Sequence, residues 1–123
     1  MKLSLTNPSG QNVISAYGPG YVTIGPVRHQ TNLVVMPDTL LEPWAAGGYD
    51  QLSESDFRAV VELKPEIVLL GTGLRQRFPA PQLLRPLIDA GIGCEVMDLA
   101  AALRTYTILM AEGRRVAAAL LLD

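Results

Sequence analysis

The segment Leu69-Leu70-Gly71-Thr72-Gly73-Leu74-Arg75-Gln76-Arg77 holds the residue types nearest to a ligand site in this 123-residue chain. Open α/β sheets bind ligands just beyond the carboxyl ends of their strands, and here an apolar run ends in glycines. Glycines let the backbone approach a bound group, and successive N–H groups can hold an anion. Arg75 and Arg77 add positive charge. The dinucleotide fingerprint fails, because Gln76 stands at the third glycine position and Pro79 and Pro81 separate the glycines from the next helix. No phosphate-loop lysine follows. The ligand reading gathers Gly71, Thr72, Gly73 and Arg75 with Arg104 and Arg115 around a small anion. The competing reading gives Gly71 and Gly73 to turn geometry alone.

Other reactive residue types are sparse. The sole histidine, His29, has no serine, cysteine or metal-ligand partner at an informative spacing, and reads as a surface or strand residue. The sole cysteine, Cys94, lies in the apolar run Ile92–Met97 and reads as a small buried hydrophobe. One histidine and one cysteine are too few for a zinc site. The carboxylates are scattered, with no acid–base pair. No catalytic residue, metal or cofactor is expected, and whether the chain is an enzyme stays open.

A second constellation concerns surfaces. In the last helical segment, Arg104, Ile108 and Glu112 share the face opposite the core stripe, and Ala101 and Ala111 widen its apolar middle. A solvated face is normally polar there. Either another layer of the fold, a second copy or a hetero-partner covers it. Trp44, in a loop, either caps the core or anchors such a partner.

The elements that must position these residues follow from periodicity and breakers. Val13–Tyr17 and Tyr21–Ile24 read as strands around the Gly18-Pro19-Gly20 turn, and Asn32–Met36 as a buried strand ending at Pro37. This first third resembles a β-meander. Residues 37–53 read as a loop. Ser53 then caps a helix carrying Asp56 in its first turn and Phe57, Val60 and Val61 at helical spacing, ended by Pro65. Glu66–Leu70 is a strand apolar on both faces. Pro79 and Pro81 open a helix with the stripe Leu83, Leu84, Leu87 and Ile88, stopped by Gly91 and Gly93. Cys94–Met97 is a strand. Asp98 caps a helix to about Glu112, with Leu99, Ala102, Leu103, Tyr106, Leu109 and Met110 on its inner side and Gly113 ending it. Val116–Leu122 is a central strand. The β-α-β-α-β order predicts a layered α/β sheet.

Bulk composition fits one folded domain over residues 1–123: 49% of residues are hydrophobic and 18% charged. A net charge of −2 offers no basic excess for nucleic acid. Lys2 and Lys64 are the only lysines among ten basic residues; arginine suits carboxylate or phosphate recognition, but the bias reads first as a mark of a GC-rich genome's composition. Residues 1–10 lack the apolar and basic regions of a secretion signal, and Val116–Leu122 is too short to span a bilayer, so a cytoplasmic location is expected.

Met97-Asp98, Arg104-Thr105-Tyr106 and the run from Glu112 through Leu120 resemble the C-terminal signature of a small family of uncharacterised proteins. That family includes archaeal MTH-type proteins, bacterial homologues and the mitochondrial respiratory complex I assembly factor three. Leu70 to Gly73, the tract Ala90-Gly91-Ile92, the Trp44 loop and the Tyr17 to Gly20 turn are similar to it too. Leu99 and Thr107 depart from it, standing where the family often has threonine and asparagine. The resemblance implies a three-layer α/β fold around a mixed sheet with an additional N-terminal β-layer, and no established enzyme activity. It also implies a protein partner in respiratory-complex or membrane-protein assembly.

Overall fold

A computed structural model describes residues 2–3 and 10–122. Its strands are β1 (Lys2–Leu3), β2 (Ile14–Gly18), β3 (Tyr21–Ile24), β4 (Val27–His29), β5 (Leu33–Met36), β6 (Thr39–Glu42), β7 (Ile67–Thr72), β8 (Gly93–Met97) and β9 (Val116–Leu121). Its helices are α1 (Glu54–Glu62), α2 (Arg85–Asp89) and α3 (Leu99–Ala111).

Six strands make a mixed sheet in the order β1-β6-β5-β9-β7-β8. β7 pairs in parallel with β8 and β9, as crossover helices require, whereas β5 runs antiparallel to β9 and to β6. The all-apolar β9 is central, and its side chains alternate between two cores. Val116, Ala118 and Leu120 join Leu103 and Tyr106 of α3 and Val22 and Ile24 of β3. Ala117, Ala119 and Leu121 join Trp44, Phe57 and Val60 on the opposite face. A strand buried on both sides cannot alternate apolar with polar residues, which is why β9 reads as an unbroken apolar run. The second, three-stranded sheet β2-β3-β4 lies beside α3 in the outer layer. The three-layer architecture is therefore present, with the additional N-terminal β-sheet placed in the α3 layer.

Helix ends follow the sequence closely. The Asp56 carboxylate accepts the Ser53 N–H at 2.9 Å, and the Asp98 carboxylate accepts the Ala101 N–H at 2.8 Å. Gly113 has φ 79°, the left-handed conformation that lets the chain leave α3.

Several boundaries differ from expectation. Residues 37–53 are not all loop: β5 turns at Pro37-Asp38 and returns as β6, with Met36 opposite Thr39. The expected meander is confined to β2-β3-β4, of which β4 was not anticipated. β7 runs two residues further than Leu70. The helix expected from Pro81 is split into a 3-10 turn over Pro81–Leu84 and the short α2. Pro86 explains the split, since it has no N–H to give to Gln82. Ile88 consequently stays 63% exposed while Leu87 is buried. His29 is a strand residue as expected, but it is buried rather than on the surface. No helix among the described residues is long and apolar enough to cross a membrane.

Candidate functional site

The glycine segment is built for packing. A Cβ on Gly71 would stand 3.0 Å from the Ala102 Cβ and 3.1 Å from Leu120 Cδ2, so glycine is what lets α3 lie close on the sheet. Thr72 is fully buried; its hydroxyl donates to the Arg75 carbonyl at 2.7 Å and accepts the Arg77 N–H at 2.9 Å. Arg77 donates back to the Thr72 carbonyl at 3.0 Å and lies 4.4 Å over the Tyr49 ring. Gly73, at φ 84°, accepts the Leu99 N–H at 2.7 Å. These polar groups close the loop on itself. Arg75 is exposed beside it.

Arg115 is far from this loop, contrary to its grouping with Gly71–Gly73. Parallel pairing sets Ile67 beside Val116 and Thr72 beside Leu121. Arg115 therefore sits at the start of the strands, about 20 Å away at roughly 3.3 Å per residue. There it clamps three elements. Its guanidinium donates to the Asp38 carboxylate at 3.2 Å, to the Leu63 carbonyl at 2.9 Å and to the Lys64 carbonyl at 3.1 Å, and its N–H donates to Glu66 at 2.8 Å. Partial burial raises the Asp38 carboxyl, but the Thr39 hydrogen bond and the Arg115 charge outweigh it and hold the group below its ordinary value. The Arg115 backbone hydrogen bond likewise holds Glu66 low.

Arg104 belongs to neither of these places. It is exposed on α3, where it rims a groove of about 580 Å³ between residues 14–17 of β2 and Leu103, Arg104, Thr107 and Ile108 of α3. Ile108 is 59% exposed and Tyr17 44% exposed along this groove. Tyr17 also borders a smaller, separate hollow of about 170 Å³, lined by Gly73, Leu74 and Leu99, and the two follow α3 as a trough divided at Tyr17. Glu112 is exposed at the end of the helix, beyond the groove lining. Of the ligand set, Gly71, Thr72, Gly73 and Arg75 stay together, while Arg104 and Arg115 do not join them.

Trp44 is not a partner anchor. It is 3% exposed, donates its indole N–H to the Asp56 carbonyl at 2.8 Å and meets the Phe57 ring edge-on at 5.8 Å. Its place is the core between the Trp44 loop and α1, where a large aromatic gains most from burial. Cys94 is partly buried, and that burial, with the Glu95 charge, pushes its thiol up to about 11, away from nucleophilic use at neutral pH. No group of three or more metal-ligating side chains occurs among the described residues.

Two features escaped sequence reasoning. The β2 wall of the groove depends on α3 and the small sheet sharing a layer, which no local pattern encodes. Asn12 is buried; its carbonyl accepts the Tyr106 hydroxyl at 2.7 Å and its amide donates to the carbonyls of Met36 at 2.9 Å and Thr39 at 3.1 Å. It thereby fixes the chain entering β2 to α3. Burial pushes the Tyr106 hydroxyl well above its ordinary value, so it remains a donor.

Residues 14–121 match the family model described as protein of unknown function (DUF498/DUF598). The mouse NADH dehydrogenase (ubiquinone) 1 alpha subcomplex assembly factor 3 is 36% identical over 90 residues, covering 72% of this chain and 48% of that protein. The chain thus spans about half the length of the curated relatives it first matches. The crystal structure of a Bordetella parapertussis protein superposes with a TM-score of 0.86 at 40% identity, covering 95% of this chain and 100% of that one. A Bordetella pertussis protein described as an Mth938-like domain superposes with a TM-score of 0.82 at 34% identity, covering 100% of this chain and 93% of that one.

Proposed function

This chain belongs to the DUF498/DUF598 family of proteins of unknown function, and from that footing we propose that it is a non-enzymatic binding domain assisting the assembly of a multi-subunit respiratory or membrane complex. Membership carries the general role, since relatives in several animals are named as assembly factors for NADH dehydrogenase. The observation that carries the docking surface is Ile108, 59% exposed on a helix face that opens into the apolar groove beside β2. Isolated exposed apolar residues are ordinary, but one set against a groove marks a contact site. The compartment in this reading is the cytoplasm. The self-closed glycine loop supports backbone geometry over an anion site.

Affinity purification of the chain, tagged at its own chromosomal locus, followed by native mass spectrometry tests this. Recovery of respiratory or membrane-insertion subunits, lost with Ile108→Glu, is the expected result. Recovery of the chain alone with a small bound mass would move the function to a ligand-binding protein, and a pure homodimer would make the face a self-interface.

A further inference from the structure

We infer that the trough between β2 and α3 receives an extended segment of a partner protein, added as a strand to the edge of β2 that pairs with no described strand, with an apolar side chain against Ile108 and a carboxylate on Arg104. This rests on the binding-domain reading and names how the binding occurs.

Three observations carry it. The first is the edge. In the small sheet β2 pairs with β3 alone, and among the described residues its other edge pairs with no strand. An edge strand turns every second N–H and C=O outward, ready for another strand. α3 is the helix that contacts β2, so the groove lies along it. Addition of a peptide to a strand edge, with pockets taking alternate side chains, is a recurring recognition mode.

The second observation is dimension. The trough follows α3 from Leu99 to Ile108, about 13 Å at roughly 1.5 Å per residue. An extended chain covers that length in about four residues, close to the five residues of β2.

The third is charge. Arg104 is the only charged side chain lining the main groove, and no carboxylate pairs with it among the described residues. At the far end, Asp98 is committed to capping α3 through the Ala101 N–H. An acidic group on the occupant therefore gains a charge-assisted bond. This also argues against a second copy as occupant. The β2 segment that a second copy would add, Ile-Ser-Ala-Tyr-Gly, contains no carboxylate.

A displayed library of random linear heptapeptides, panned on the purified chain, provides the probe. Enriched peptides are then titrated by fluorescence anisotropy, with circular dichroism confirming that each variant is folded. The expected motif is alternating apolar residues with one acidic residue. Ile108→Glu should weaken the enriched peptides at least tenfold. Arg104→Glu should weaken them similarly and restore binding when lysine replaces the acidic residue. No enrichment, equal binding by Ile108→Glu, or a dimer by light scattering that Ile108→Glu dissociates would each overturn the inference. The outcomes separate from those of the broader reading. A cellular partner retained by Ile108→Glu removes the strand-addition mode and leaves assembly work intact, whereas a chain with no protein partner removes the assembly reading itself.

Discussion

Gly71 shows how a residue can invite a ligand reading and serve packing instead. A glycine ending a strand suits a bound phosphate, but the space a side chain would need here is held by Ala102 and Leu120. Gly71→Ala should therefore destabilise the fold by about 1–3 kcal/mol, the usual cost of overpacking a dense core. Gly93→Ala should change stability little, because nothing lies within 4 Å of the added Cβ and its backbone is an ordinary strand. Chemical denaturation of both variants measures the difference. Equal midpoints would mean that α3 can shift away from β7 freely. The sequence could not decide between the two roles, since a local pattern records the glycine but not the helix pressed on it. The capping residues Ser53 and Asp98 were legible for the opposite reason: their partners lie three residues away.

At the scale of elements, what was legible depended on whether a signal stayed within one element. α1, α3, β7 and β9 each carry their own period and their own stop, and all four occur close to where the pattern puts them. β6 has no signal of its own because Pro37 reads as a strand end, although Pro-Asp is also the signature of a tight reversal. The stripe Leu83, Leu84, Leu87 and Ile88 predicts one helix, whereas Pro86 within it leaves a 3-10 turn and the short α2. The joint between the two sheets left no local trace at all. It includes His29 of β4, whose Nδ1 lies 3.0 and 3.1 Å from the carboxylate oxygens of Glu42 on β6, with the Thr31 hydroxyl also donating to that carboxylate at 2.6 Å. His29→Leu should cost about 1–3 kcal/mol by leaving a half-covered carboxylate short of a partner. Glu42→Leu should cost a similar amount, and the double variant less than the sum, by roughly 0.5–3 kcal/mol in a double-mutant cycle. Additive losses in urea denaturation would show that the sheets are held together by their apolar contacts alone.

Across the whole molecule, two ends of the structure divide the labour. At the start of the parallel strands, Arg115 binds the β5–β6 turn, the end of α1 and the start of β7. Along α3, Ile108 and Arg104 hold no internal structure together and line the open groove. Loss of Arg115 should therefore act on stability, and change at Ile108 on binding. Arg115→Ala should lower the melting temperature by several degrees at neutral pH while leaving partner capture unchanged well below that temperature. Ile108→Glu should do the reverse. The acid limb gives a further check with a fixed sign. Asp38 and Glu66 have depressed carboxyl values in the fold. Their contribution is present above the unfolded carboxylate range and is lost as pH falls through the folded values. Arg115→Ala removes the guanidinium's share of the Asp38 depression, while the Thr39 hydrogen bond to Asp38 and the main-chain N–H to Glu66 remain, so the gap between parent and variant should narrow in part as the medium becomes acidic. Salt should narrow it as well, because these side chains are largely exposed. Melting curves recorded from neutral to acidic pH, alongside capture with both variants, measure all of this. If Arg115→Ala abolished capture while the fold stayed intact, the docking surface would have to extend to the opposite end of the sheet.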